Sequence, residues 1–166
     1  MASSNSPVTT GRELVIEHVF DAPRELVWKA WTDPDMYMKW MGPNGYTCPV
    51  CKIDLRVGGK TLVAMRGSDG KDIWSTGVYK EIVPFERIVV TDSFADEHGN
   101  AVPASHYGME GEFPLELLVT VTFEDLDGKT RMTLVHSGLP AGEASGGEGA
   151  GWNQSFDKLA AALASA

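Results

Sequence analysis

Cysteine is scarce in this chain of 166 residues, with only 2, so a disulfide-scaffolded fold is excluded. Long apolar runs are missing as well: no stretch of even 10 apolar residues occurs, which leaves nothing to span a bilayer as a helix. Basic residues are outnumbered, 14 Lys and Arg against 23 Asp and Glu, for a net charge of −9 with His neutral. Nucleic acid and anionic lipid surfaces both require a dense basic patch, so neither nucleic acid nor membrane is expected as a partner. There is no internal repeat of the kind that builds collagen or a coiled coil. The opening residues, MASSNSPVTTGRE, hold no positive region followed by an apolar one, and the expected location is the cytoplasm.

A complete catalytic constellation is also lacking. Asp, Glu and His are present, yet no two stand at a spacing that marks general acid-base work or an activated nucleophile. His136 and Ser137 are adjacent on a strand and point to opposite faces, which defeats a Ser-His pair between them. The glycines at 146, 147, 149 and 151 have neither the preceding strand of a dinucleotide fingerprint nor the following Lys-Ser or Lys-Thr of a phosphate loop. Cys48-Pro49-Val50-Cys51 has a spacing used by metal and redox sites, but there is no second pair. Three positions apart on an extended strand, the two thiols are expected on opposite sides and reduced. No catalytic residue, metal or cofactor is therefore assigned.

What is present is enough for one sizeable core, since 43% of the residues are hydrophobic. Two independent cores would each fall near the lower size limit, so a single domain is expected over residues 12–166. Residues 1–11 are mostly small and polar and read as a disordered tail. Leu14, Ile16, His18 and Phe20 then alternate onto one face of a first strand. Asp21-Ala22-Pro23 signals a helix that carries Leu26, Val27, Ala30 and Trp31 inward, with Asp21 accepting from the first-turn amides. Asp33-Pro34 repeats the signal for a short helix through Met36-Tyr37-Met38-Lys39-Trp40-Met41, more apolar than a surface helix needs.

From Tyr46 to Val135 the chain reads as six strands separated by turn signals, an antiparallel meander. They run over 48–57, 61–66, 73–82, 87–94, 116–124 and 130–136, with Asp127-Gly128 as a hairpin turn. The link from Ala95 to Pro114 is long for a compact domain, and its His106-Tyr107-Gly108-Met109 string suggests a loop folded over something. From Ala150 onward, Trp152, Phe156, Leu159 and Leu163 make the apolar stripe of a closing helix.

Several strings in this order carry a family resemblance. They are Phe20-x-Ala22-Pro23-x-x-x-Val27-Trp28-x-Ala30-Trp31-Thr32-Asp33-Pro34, Trp40-Met41-Gly42-Pro43, Asp54-Leu55-Arg56-x-Gly58-Gly59, and Gly77-x-Tyr79. Further on come Pro84-x-Glu86-Arg87-Ile88, Val119-Thr120-Val121-Thr122-Phe123 and Gly151-Trp152-x-x-Ser155-Phe156-x-x-Leu159. The chain resembles the START-like or SRPBCC superfamily, the birch-pollen-allergen type of helix-grip fold. Within it, the resemblance is to the branch homologous to the activator of the heat-shock-protein-90 ATPase. It extends from about residue 13 to 164, and Trp40-Met41-Gly42-Pro43 stands where this branch usually has a Trp-Trp-Gly-Pro-like string.

The resemblance implies an α+β fold in which a curved seven-stranded antiparallel sheet, in the order β-α-α-β6-α, grips a long C-terminal helix around a cavity. Relatives bind lipids, polyketides or hormones, some cyclise polyketides, and the eukaryotic relative is a stress-response co-chaperone, so the fold leaves function open. Alternation groups Trp74 with Thr76 and Val78, Val121 with Val119 and Phe123, and Met132 with Leu134 and His136. Facing Trp152 and Phe156, these would wall an apolar pocket, or fill a solid core. Met65 and Met109 add adaptable side chains, and Trp40 is expected at the cavity mouth. His136 is the expected orienting polar group, with His106 and Tyr107 joining it if the long loop folds inward.

The functional expectation is binding of an apolar or aromatic small molecule by a monomer or homodimer. An interaction module with a protein partner, like the co-chaperone relative, ranks second. A cyclase- or hydrolase-like enzyme ranks third.

Overall fold

The computed structural model describes residues 8–10, 13–108, 114–138 and 147–166. Its strands are β1 (Val8–Thr10), β2 (Glu13–Phe20), β3 (Thr47–Ile53), β4 (Lys60–Arg66), β5 (Asp72–Val83), β6 (Arg87–Ala95), β7 (Leu117–Leu126) and β8 (Lys129–Ser137). Helices α1 (Arg24–Thr32) and α2 (Pro34–Trp40) follow β2, and α3 (Gly147–Ala164) closes the chain. The strands form one antiparallel sheet in the order β1-β2-β8-β7-β6-β5-β4-β3. Seven of them are the expected strands of a helix-grip fold. The eighth, β1, falls inside the stretch read as a tail and pairs Val8 with Val15, covering the open edge of β2.

Patterning explains most of the architecture. Strand β2 buries Leu14, Ile16, His18 and Phe20 and leaves the intervening residues partly exposed. Strand β8 does the same with Met132, Leu134 and His136. The β7–β8 turn places Asp127 and Gly128 at φ of 53° and 91°, the doubly left-handed geometry of a two-residue hairpin. Helix α2 begins as its sequence signals, with Asp33 Oδ1 accepting from the Asp35 amide at 3.0 Å and Pro34 in the first turn. Helix α1 corrects its expectation: Pro23 stands at the cap position and no side chain caps it, so Asp21 is not the acceptor.

The core lies between the concave face of the sheet and the helices. Phe156, Leu159 and Leu163 of α3 are buried with Val27, Ala30 and Trp31 of α1 and the inward residues of β2, β7 and β8. Each buried Val, Leu or Phe among them contributes about 1.5–3 kcal/mol on removal from water. Two register shifts bend the far half of the sheet. One, between Tyr79 and Glu81, follows a close approach at Gly77, where a Cβ would lie 2.1 Å from the Thr91 carbonyl oxygen.

The other shift lies between Thr47 and Val50, and it overturns the expectation for the cysteines. An extra residue in β3 turns the chain between Cys48 and Cys51, so both side chains are buried rather than one on each side of the strand.

Candidate functional site

Between α3 and the curled sheet lies a cavity of about 360 Å³. Trp31 of α1 and Tyr37 of α2 wall one side, and Gly151, Trp152 and Ser155 of α3 another. The sheet contributes Met65 from β4, Ile73, Ser75 and Tyr79 from β5, Ile88, Val90 and Asp92 from β6, and Val119 and Val121 from β7. His136 of β8 completes it. A space of this size with mainly apolar walls and a few convergent polar groups is the usual construction of a small-molecule site.

The rim is held by local rules of the chain. Helix α2 stops at Met41, and Gly42 turns the backbone at φ 110°, bringing Pro43 and Tyr46 onto the cavity. A side chain at Gly42 would press within 3.2 Å of Tyr46 Cβ. The Asn44 amide donates to Gln154 Oε1 at 2.9 Å and Lys158 Nζ donates to the Tyr46 carbonyl at 3.2 Å, tying this rim to α3.

Of the residues expected from sequence, Met65, Val121, His136 and Trp152 stand on the walls. Trp40, Met132 and Phe156 lie fully buried behind them. Trp40 Nε1 donates to the Ala30 carbonyl at 2.9 Å, and Trp31 Nε1 donates to Met132 Sδ at 3.2 Å. The expectation of Trp40 at the mouth is thus corrected: its indole N–H finds a backbone partner in the interior and the ring packs 4.9 Å from Trp31. Trp74 is not on the walls, which take its neighbours Ile73 and Ser75 instead. The described part of the long loop returns to the sheet: Tyr107 OH accepts from the Trp74 amide at 3.1 Å and donates to the Ala95 carbonyl, while His106 is exposed, and neither residue is on the cavity wall. Met109 lies outside the described residues.

Sequence reasoning missed Tyr37, Tyr79 and Asp92 as wall residues. A signal for Asp92 exists, since it alternates with Ile88, Val90 and Phe94 on β6, an acid set in an apolar row.

Asp92 belongs to a polar chain set into the apolar wall. Trp152 Nε1 donates to His136 Nδ1 at 3.1 Å. That nitrogen is therefore unprotonated and the imidazole carries its proton on Nε2. Nε2 lies 3.1 Å from Asp92 Oδ2, in electrostatic contact but short of a straight hydrogen bond. His136 is almost wholly enclosed, whereas 36% of the Asp92 side chain is open.

Burial shapes the other titratable groups around the site. Although part of Tyr37 is exposed, burial raises its phenol well above the usual value, and nearby Cys51, Cys48 and Asp92 add to the rise. Burial likewise raises the Tyr79 phenol. It pushes the Cys48 thiol up to about 11 and the Cys51 thiol up to about 12. Both thiols stay protonated near neutrality, and a protonated thiol is a poor nucleophile and metal ligand. Among the described residues no group of three or more His, Cys, Asp or Glu is placed to hold a metal ion. No helix among them is long and apolar enough to cross a membrane.

Residues 21–164 match the family described as Activator of Hsp90 ATPase homolog 1-like protein. No curated protein matches the chain. Among solved structures, a protein from Chromobacterium violaceum is 31% identical with a TM-score of 0.76, the match covering 92% of this chain and 96% of that one. A protein from Arthrobacter aurescens is 26% identical with a TM-score of 0.81, covering 97% of this chain and 92% of that one. The AHSA1 protein from Silicibacter pomeroyi is 25% identical with a TM-score of 0.72, covering 92% of this chain and 97% of that one.

Proposed function

The chain belongs to the family of Activator of Hsp90 ATPase homolog 1-like proteins, and from that premise we propose that it binds an apolar or aromatic small molecule in the cavity between sheet and C-terminal helix. One observation carries the reading: a cavity of about 360 Å³, walled by aromatic and aliphatic side chains, holds the Trp152–His136–Asp92 chain on one side. Apolar walls supply affinity through burial of the ligand, and a few fixed polar atoms orient it. Trp31 and Trp152, stacked at 6.0 Å, and Tyr37 put aromatic surface on the walls for an apolar guest.

A screen of aromatic and aliphatic compounds by thermal shift tests this, because a ligand of the folded state raises the midpoint by mass action. Compounds that fit are expected to raise it in a concentration-dependent way. Indifference to all of them would remove the reading.

A second reading is a protein-interaction module of the co-chaperone kind. It is favoured by the exposed Leu55 and Val57, close together in the turn after β3 on a chain of net charge −9. Pull-down with a basic partner that is abolished by Val57→Asp would support it over the first.

A further inference from the structure

Taking the cavity as a ligand site, we infer that its occupant carries a protonated amine on an apolar or aromatic body, with the ammonium seated against Asp92. Among the described residues that wall the cavity, Asp92 is the one Asp, Glu, Lys or Arg. The inference stands on the ligand reading of the cavity and adds the chemistry of the head group.

The neighbouring histidine leaves that carboxylate's charge in place. Trp152 Nε1 donates to His136 Nδ1 at 3.1 Å, so a second proton on the ring would meet an N–H already aimed at the same atom. With Nδ1 accepting from Trp152, the Nε2 side of the ring faces Asp92 Oδ2 across 3.1 Å. The ring edge thus stands beside the carboxylate without a straight hydrogen bond to it. The Asp92 side chain remains 36% open and stands on the cavity wall.

Three head groups can then be compared. A carboxylate on the ligand would face a like charge at close range in a poorly hydrated space. A neutral hydroxyl would give one hydrogen bond but leave a desolvated charge uncompensated. An ammonium supplies both the opposite charge and up to three donors. Trp31, Tyr37 and Trp152 on the same walls give aromatic surface to the ligand's apolar body. The net charge of −9 raises the local concentration of cations around the whole molecule.

Titration calorimetry at low salt with three matched probes tests the inference: 2-(2-naphthyl)ethylamine, 2-(2-naphthyl)ethanol and 2-naphthylacetate. The amine is expected to bind at least about tenfold more tightly than the alcohol, with the carboxylate weakest. In Asp92→Asn the amine's advantage over the alcohol is expected to vanish. Alcohol or carboxylate binding as tightly as amine to the unsubstituted protein overturns the inference and leaves the cavity reading standing. Failure of all three, together with an unresponsive melting point in the wider screen, overturns both. The comparison within the unsubstituted protein decides the matter even where Asp92→Asn does not fold.

Discussion

Trp152 and His136 join the C-terminal helix to the last strand, the indole N–H donating to Nδ1 at 3.1 Å with the two rings at 80°. This contact crosses from α3 to β8 at the cavity wall, so it both grips the helix and fixes the histidine tautomer. Nitrogen NMR of the imidazole is expected to show an unprotonated Nδ1 and a protonated Nε2. The opposite tautomer would break the polar chain assigned to the wall. Trp152→Phe keeps a ring against Trp31 but removes the donor, and is expected to cost about 1–3 kcal/mol by denaturant unfolding.

Phe156 is fully buried among Phe20, Trp31 and Trp40, with ring centroids 6.3–6.4 Å away. Phe156→Ala is expected to cost about 3–5 kcal/mol, from lost burial and the cavity left behind. Urea unfolding monitored by tryptophan fluorescence measures it. A change below about 1 kcal/mol would mean that α3 is not packed into the sheet.

Gly77 lets β5 approach β6 where any side chain would collide with backbone, a Cβ falling 2.1 Å from the Thr91 carbonyl oxygen. The Val78 amide donates to Thr91 Oγ1 at 2.8 Å beside it, so neither strand can move off without losing that bond. Gly77→Ala is expected to destabilise by about 1–3 kcal/mol, as overpacking does, and thermal unfolding reads it. Unchanged stability would show that the two strands are not this close.

The buried thiols have a signature at alkaline pH. Burial raises Cys48 from 9.0 to about 11 and Cys51 to about 12. Above about 9 the unfolded chain releases thiol protons that the folded chain keeps, so the folded state loses stability as pH rises from there toward about 11 to 12. Replacing both cysteines by alanine is expected to flatten that part of the stability curve relative to the parent. Alkylation by iodoacetamide at neutral pH is expected to be slow in the folded protein and fast once it is unfolded.

The sequence was most readable where one strand face is wet and the other dry. On β2, β7 and β8 the alternation of apolar residues picks the inward face, and Asp127-Gly128 marks its hairpin because few other pairs accept two left-handed residues. Alternation failed on β5, where most residues are partly buried on both faces and a register shift follows Tyr79. Of the apparent row Trp74, Thr76 and Val78, Thr76 is on the cavity wall but Trp74 and Val78 are not, and Ile73, Ser75 and Tyr79 stand there beside it. The cysteines failed for the same reason, because a bulge adds a residue that no periodicity records. Trp40 sits in an apolar string that reads as a cavity mouth, and only the path of α2 past Ala30 puts it in the core. Asp92 carried a signal, an acid in an apolar row, but its meaning depends on His136 and Trp152, which sequence distance hides.

The most direct test of ligand binding in the cavity compares the parent protein with Ser75→Phe, whose new ring projects into the cavity wall between Ile73 and Tyr79. Calorimetric titration with a compound that raises the parent's melting point is expected to give one site per chain in the parent. In the folded variant the affinity is expected to fall at least about tenfold. Equal binding by both proteins would place the ligand elsewhere and contradict the account.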